Sequence, residues 1–451
     1  MPPEIYAGHK ASADARRSTR AVTGRSNGNP AARIAACLRG MAVVLVAVFV
    51  APAAAPPRSY AVAAAPLVRT GLDVFLENPP DAVRGKRVGL ITNPSGVDEQ
   101  LRSTADLLAA DHDIHLVALF GPEHGVRGDQ SAGAPVRNSI DAETGLPAFS
   151  LYGATRKPTP AMLKGIDVLV FDIQDVGARF YTYMSTLAYA MEAAAAQGIP
   201  VVVLDRPDPL SGDLVAGPVL EPKWSSFFGL YPMPILYGMT IGELARFFNG
   251  EFGIGAKLTV VPMDGWRRSM WFDQTGLPWV MTSPGIPHFR TAVLYPVTGP
   301  IGDTNLSVGV LTTEPFELTG GTFIQPWRLR AALEARKPGG VAFRAAYWRG
   351  EPWTDTGGPE YGGVEIRVTD RAAYRPVDLM LQILYTVHQL YPGQFRWGAS
   401  SGGTYTFDLD MGTDQVRLGL AAGKAPEQIE EQWIPGLERF LKIREKYLLY
   451  H

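Results

Sequence analysis

Four short apolar runs constrain this chain more than anything else in it. They are Arg87-Val88-Gly89-Leu90-Ile91-Thr92, Leu116-Val117-Ala118-Leu119-Phe120, Asp167-Val168-Leu169-Val170-Phe171-Asp172 and Ile199-Pro200-Val201-Val202-Val203-Leu204. Each is of strand length and closed by turn-forming residues, the mark of a strand buried on both faces. Helical stretches lie between them: Ser103 is placed to cap a helix over Thr104–Ala110, and another covers Thr182–Gln197 and stops at Gly198. Strands alternating with helices predict βαβ units and a Rossmann-like, mostly parallel sheet. No Gly-x-Gly-x-x-Gly follows the first strand, so a dinucleotide site is not supported and no cofactor is expected.

Past residue 220 glycine, proline and tryptophan become frequent. Thr240–Phe248 reads as a short helix, 257–262 and 363–368 as strands, and Val377–Leu390 as an amphipathic helix. Pro426–Trp433 and Pro435–Tyr447 read as two closing helices with proline near each first turn. The expected class is therefore α/β, a Rossmann-like domain (67–225) plus a second, smaller α+β domain (226–451), with a cleft between them.

Residues 1–66 are different. The first forty are rich in Arg, Ser, Ala and Gly and read as disordered; Met41–Val50 is an apolar core followed by Ala53-Ala54-Ala55 and Ala61-Val62-Ala63. That is the pattern of a secretory signal peptide, too short for a stable membrane span, and predicts a secreted or periplasmic protein. The segment holds eight Lys/Arg against two Asp/Glu, leaving 34 against 42 in the body. A body of that sign has no footprint for nucleic acid. The one cysteine, Cys37, lies in the leader, so the body holds neither a disulfide nor a Cys-ligated metal.

Three acid-bearing turns follow predicted parallel strands: Glu123-His124, Asp172-Ile173-Gln174-Asp175, and Asp205-Arg206-Pro207-Asp208. Parallel strands deliver their carboxyl ends to one edge, where ligands bind. Two facing carboxyl groups, one protonated and one ionised, are what glycoside hydrolysis needs; the alternative is that these acids cap helices and satisfy loop backbone. Arg179-Phe180-Tyr181-Thr182-Tyr183 suits a polar ligand equally with a helix start packed by aromatics. Trp266, Trp271, Trp279, Tyr231 and Tyr237 either line a saccharide cleft or pack the core, and Asp303-Thr304-Asn305 is a polar cluster that can face the cleft from the second domain. His112, Asp113 and His115 raise a metal site, but His124 lies at the other end of the same strand, so no metal is expected.

Several of these stretches together resemble one family. Phe120-Gly-Pro-Glu-His-Gly-Val-Arg-Gly-Asp129, Asp172-Ile-Gln-Asp-Val-Gly-Ala-Arg-Phe-Tyr-Thr-Tyr183, Leu204-Asp-Arg-Pro-Asp-Pro-Leu210, Gly238-Met-Thr-Ile-Gly-Glu-Leu-Ala245, Tyr295-Pro296 with Thr304-Asn305-Leu306-Ser307, and Lys446-Tyr-Leu-Leu-Tyr450 are similar to motifs of the bacterial exo-β-N-acetylmuramidases (NamZ-like, formerly a domain of unknown function). The resemblance spans about 70–451. It implies a Rossmann-like domain joined to a second domain across an active cleft, and release of terminal N-acetylmuramic acid from peptidoglycan fragments. Glu123 falls on the family's proposed catalytic acid, with Asp175 or Asp172, or the substrate's acetamido oxygen, as the second group. His124, Arg127, Gln174, Arg179, Tyr181 and Tyr183 match positions lining the cleft, and Asp205, Arg206, Tyr237, Thr304 and Asn305 extend that set.

The second domain departs from the family pattern. A usual glutamate and arginine are Val308 and Val310, the usual Pro-Ser-Pro-Asn is Thr282-Ser283-Pro284-Gly285, and a frequent histidine is Tyr237. These changes bear on which sugar or peptide-bearing fragment is preferred. The rival expectations are a non-catalytic saccharide or muropeptide receptor and a metal-dependent amidase or esterase.

Overall fold

The computed structural model describes residues 68–351, 357–399 and 402–451; the expected disordered N-terminus and signal peptide lie outside the described residues. The strands β1 (Arg87–Thr92), β2 (His115–Gly121), β3 (Ser139–Ile140), β4 (Pro147–Ser150), β5 (Val168–Asp172), β6 (Val201–Leu204) and β7 (Leu258–Val261) form one sheet in the order β3-β4-β2-β1-β5-β6-β7. All neighbours pair in parallel except β3 with β4. From β1 the chain builds outward through β2 and β4, then returns to place β5 on the other side. The switch point of the sheet therefore lies between β1 and β5, where loops part and leave a crevice.

Side chains of successive strand residues point to opposite faces, and both faces are covered. Val88, Leu90, Val168, Val170, Val202 and Leu204 pack beneath α1 (Gly71–Glu77) and α2 (Thr104–Ala110). Leu169, Phe171, Val201 and Val203 pack beneath α3 (Tyr183–Gln197) and α4 (Ile241–Glu251). The helix ends follow their local chemistry. The Ser103 hydroxyl accepts from Asp106 N–H, Gly198 closes α3 at φ +69°, and Thr240 with Glu243 forms a capping box.

The strand over 257–262, placed by sequence in the second domain, is β7 and pairs in parallel with β6. The large sheet thus extends past the expected boundary at residue 225, because pairing across the sheet and not texture along the chain decides membership. Beyond it, β8 (Leu318–Gly321), β9 (Val341–Arg349) and β10 (Glu360–Val368) make an antiparallel sheet ordered β8-β10-β9. Around it lie α5 (Phe289–Thr298), α6 (Pro326–Arg336) and α7 (Pro376–Leu390), followed by four short helices, α8 (Thr406–Met411) to α11 (Ile434–Arg444). The chain end then returns to the large sheet. The Tyr450 hydroxyl donates to Asp205 Oδ2 at 2.6 Å and accepts from Met263 N–H at 2.8 Å, and Leu449 N–H donates to Glu243 Oε1 at 2.7 Å. No described helix is long and apolar enough to cross a membrane.

Candidate active site

The carboxyl ends of β1, β2, β5 and β6 deliver Asn93, Glu123, Asp175 and Asp205 to one edge. Glu123 sits two residues past β2 and is half-buried. Its Oε1 accepts from Gly133 N–H at 2.8 Å, and its carboxylate also lies against the hydroxyl of Tyr152 and acts on that of Tyr183. The turn that holds it is strained: His124 takes φ +70°, directly before Gly125 at φ +79°. A non-glycine residue there costs roughly 1–3 kcal/mol. His124 Nδ1–H offsets this by donating to the Gln130 carbonyl at 2.9 Å. Buried His124 is thus the clamp that aims Glu123.

Behind Glu123 stands a pair of tyrosines. Tyr181 and Tyr183 meet edge to face, with ring centroids 4.8 Å apart. The Tyr181 hydroxyl donates to Thr282 Oγ1 at 2.8 Å, and the Tyr183 hydroxyl donates to the Thr282 carbonyl. Burial pushes both phenols up, so they remain hydrogen-bond donors at neutral pH. Asn93 belongs to the same group, its Oδ1 accepting from Ser95 N–H at 2.9 Å.

Asp175 is sealed beneath them, with 5% of its surface exposed. Tyr237 donates to its Oδ2, while Oδ1 makes no hydrogen bond of good geometry. Burial pushes the Asp175 carboxyl up to about 7, against the opposing pull of the Val176 and Gly177 N–H groups. Beside it Gln174 is pinned, its Nε2 donating to the carbonyls of Asp175 and Pro207, both at 2.8 Å.

Other expected site residues are committed to the fold. Asp172 is fully buried, forked by Arg206 (Nη2 to Oδ2, 2.8 Å) and bonded by Thr104, so it has no free oxygen for a sugar. Arg206 Nη2 also donates to the Val97 carbonyl. Asp205 accepts from Gly242 N–H, Thr240 and Tyr450, which anchors α4 and the chain end. Arg127 turns away from Glu123 to pair with Asp141 at 2.7 Å and Asp106 at 2.8 Å.

Arg179 is wholly interior. It donates to the carbonyls of Pro218, Met233 and Asp410, and burial lowers its guanidinium to about 9. Thr304 bonds the Ile301 carbonyl, and Asn305 braces the 394–396 loop through Gln394 and Arg396. Trp266 packs on Tyr450, Trp279 on Phe272, and Tyr231 stacks on Phe252. Val308 is buried and Val310 exposed.

Tyr152 is absent from the sequence reading, although it touches Glu123. It lies just past β4, whose Ser150 pairs with Gly121 at the end of β2. That register alone brings the two exits side by side, and nothing in the local sequence announces it. Thr282 stood out only as a departure from a motif.

The chain matches two family models, "Exo-beta-N-acetylmuramidase NamZ, N-terminal" over residues 88–290 and "Exo-beta-N-acetylmuramidase NamZ, C-terminal" over residues 293–450. It is 48% identical over 404 residues to a peptidoglycan beta-N-acetylmuramidase NamZ of Bacillus subtilis (strain 168), covering 89% of this chain and 95% of that one. Two crystal structures of DUF1343 family proteins from Bacteroides fragilis NCTC 9343 are also similar. One has 39% identity and a TM-score of 0.79, with 86% of this chain and 100% of that one covered. The other has 30% identity and a TM-score of 0.68, over 85% and 99%. With both models matched in order across the body and 48% identity to the Bacillus subtilis relative over most of both chains, the chain belongs to the NamZ exo-β-N-acetylmuramidase family.

Proposed function

We infer that this protein is an exo-acting glycoside hydrolase that releases terminal N-acetylmuramic acid, or a closely related amino sugar, from peptidoglycan fragments. Family membership supports the reaction, and one observation carries the assignment of residues. Glu123 is a half-buried carboxyl group on a braced turn at the carboxyl edge of the sheet, whereas Asp172 is consumed by Arg206 and Thr104. In this reading Glu123 donates a proton to the leaving glycosidic oxygen, and ionised Asp175 supports the oxocarbenium-like transition state as base or nucleophile. Tyr181, Tyr183, Gln174 and Tyr237 fix the geometry around them. The apolar segment at 41–50 supports a place of action outside the cytoplasm.

The test is the Glu123→Gln variant on a chromogenic N-acetylmuramide. Removal of a general acid lowers kcat by about 10²–10⁴-fold. A wild-type rate would take Glu123 out of the chemistry.

A further inference from the structure

N-acetylmuramic acid differs from N-acetylglucosamine by a lactyl ether whose carboxylate is ionised at neutral pH. A site that selects the first sugar over the second needs a cation with nothing else to hold. The arginines nearest to expectation fail this requirement, since Arg127, Arg179 and Arg206 are all engaged within the protein.

Arg156 meets it. It lies on the loop that leaves the carboxyl end of β4, the same edge from which Glu123 leaves β2. Leu151 N–H bonds the Gly121 carbonyl at 2.8 Å and ties the two exits together. The Arg156 guanidinium lies over the Phe227 ring, 4.4 Å from its centroid, and 5.4 Å from that of Tyr152. Those two rings in turn pack 6.2 Å apart. Tyr152 also contacts Glu123, so one aromatic ring bridges the cation and the candidate acid.

Among the described residues no carboxylate pairs with Arg156. Its neighbour Lys157 is spent on Glu192 at 2.6 Å, so the charge left unmatched on this loop is that of Arg156. Stacking restricts the side chain in advance and leaves its edge donors in plane. A planar fork of that kind matches a carboxylate with two parallel hydrogen bonds.

We propose that Arg156, stacked on Phe227 and Tyr152 beside Glu123, recognises the lactyl carboxylate of the terminal sugar and so sets the preference for a muramic over a glucosamine residue. The inference rests on the hydrolase assignment above. Arg156 is a specificity residue, and the bond-breaking step belongs to other groups.

The experiment compares 4-nitrophenyl N-acetyl-β-muramide with its lactyl methyl ester, which keeps the shape and removes the charge. The proteins are the wild type, Arg156→Gln, Arg156→Lys and, as a control on the neighbouring exposed loop, Arg137→Gln. Wild type should favour the free acid, and Arg156→Gln should lose about 10- to 100-fold in kcat/KM on the acid, the worth of a charged hydrogen bond. On the ester it should match the wild type. Arg156→Lys should recover part of the loss, and Arg137→Gln should behave as wild type.

Equal losses on acid and ester would make Arg156 a structural residue and overturn the proposal, as would unchanged discrimination in Arg156→Gln or its loss in Arg137→Gln. Failure of the wild type on both substrates would overturn the hydrolase assignment itself, a result distinct from either of those.

Discussion

Asp303 and Asp410 face each other in the interior, one from the turn after α5 and one from α8, and each has a carboxyl oxygen with no other partner. Neighbouring buried carboxyl groups disfavour each other's ionised form, so the pair resists losing both protons. Burial pushes Asp303 up to about 7 and Asp410 well above its usual range, with Arg179 only partly offsetting the latter.

The sign of the resulting pH dependence follows. Folded-state pKa values raised above the unfolded ones give stability that is fully present below the ordinary carboxylate range, near 3.8, and is lost as pH rises to about 7. Asp303→Asn supplies an amide donor to Asp410 and should flatten that slope. Melting temperatures of both proteins between pH 4 and 8 test this; parallel curves would show that the pair does not set that slope.

A second prediction concerns the pair Asp172–Arg206. Arg206→Ala leaves a fully buried carboxylate without its partner, which should cost about 3–5 kcal/mol in urea unfolding. Loss of activity in that variant should track the unfolded fraction. A cost under about 1 kcal/mol, typical of exposed pairs, would mean that Asp172 is not held as described.

The third follows from Asp175 and Tyr237. If ionised Asp175 is the working form, kcat/KM should rise with pH through an ionisation near 7. A hydroxyl that donates to a carboxylate favours the charged form, so Tyr237→Phe should move that limb to higher pH. Asp175→Asn should abolish it. A limb unmoved by Tyr237→Phe would assign the ionisation to another group.

The strands were legible because burial on both faces writes a continuous apolar run, as in Val168–Asp172 and Val201–Leu204, where every residue is buried. Capped helices were legible for a local reason too, since Ser103, Gly198 and Thr240 act within a few residues of themselves. Sheet membership of β7 was not, because it depends on Val203 finding Val260. The fate of the arginines was hidden for the same reason. Whether a guanidinium grips a ligand or a carbonyl depends on its surroundings, and Arg179 finds the Asp410 carbonyl 231 residues away. The tight turn carrying Glu123 was legible from Pro122 and Gly125; the approach of Tyr152 was not, since only the pairing of β2 with β4 joins them.

The return of Leu449 and Tyr450 to the large sheet makes that sheet depend on residues far along the chain. Until Leu449 and Tyr450 have left the ribosome, Glu243 and Asp205 lack partners that the finished fold supplies. A nascent chain that ordinarily folds from its N-terminus inward completes these contacts only once residues 449 and 450 have emerged. Fragments cut before residue 449 are therefore expected to leave Asp205 and Glu243 each short of one donor, with Thr240 and Arg268 still holding them.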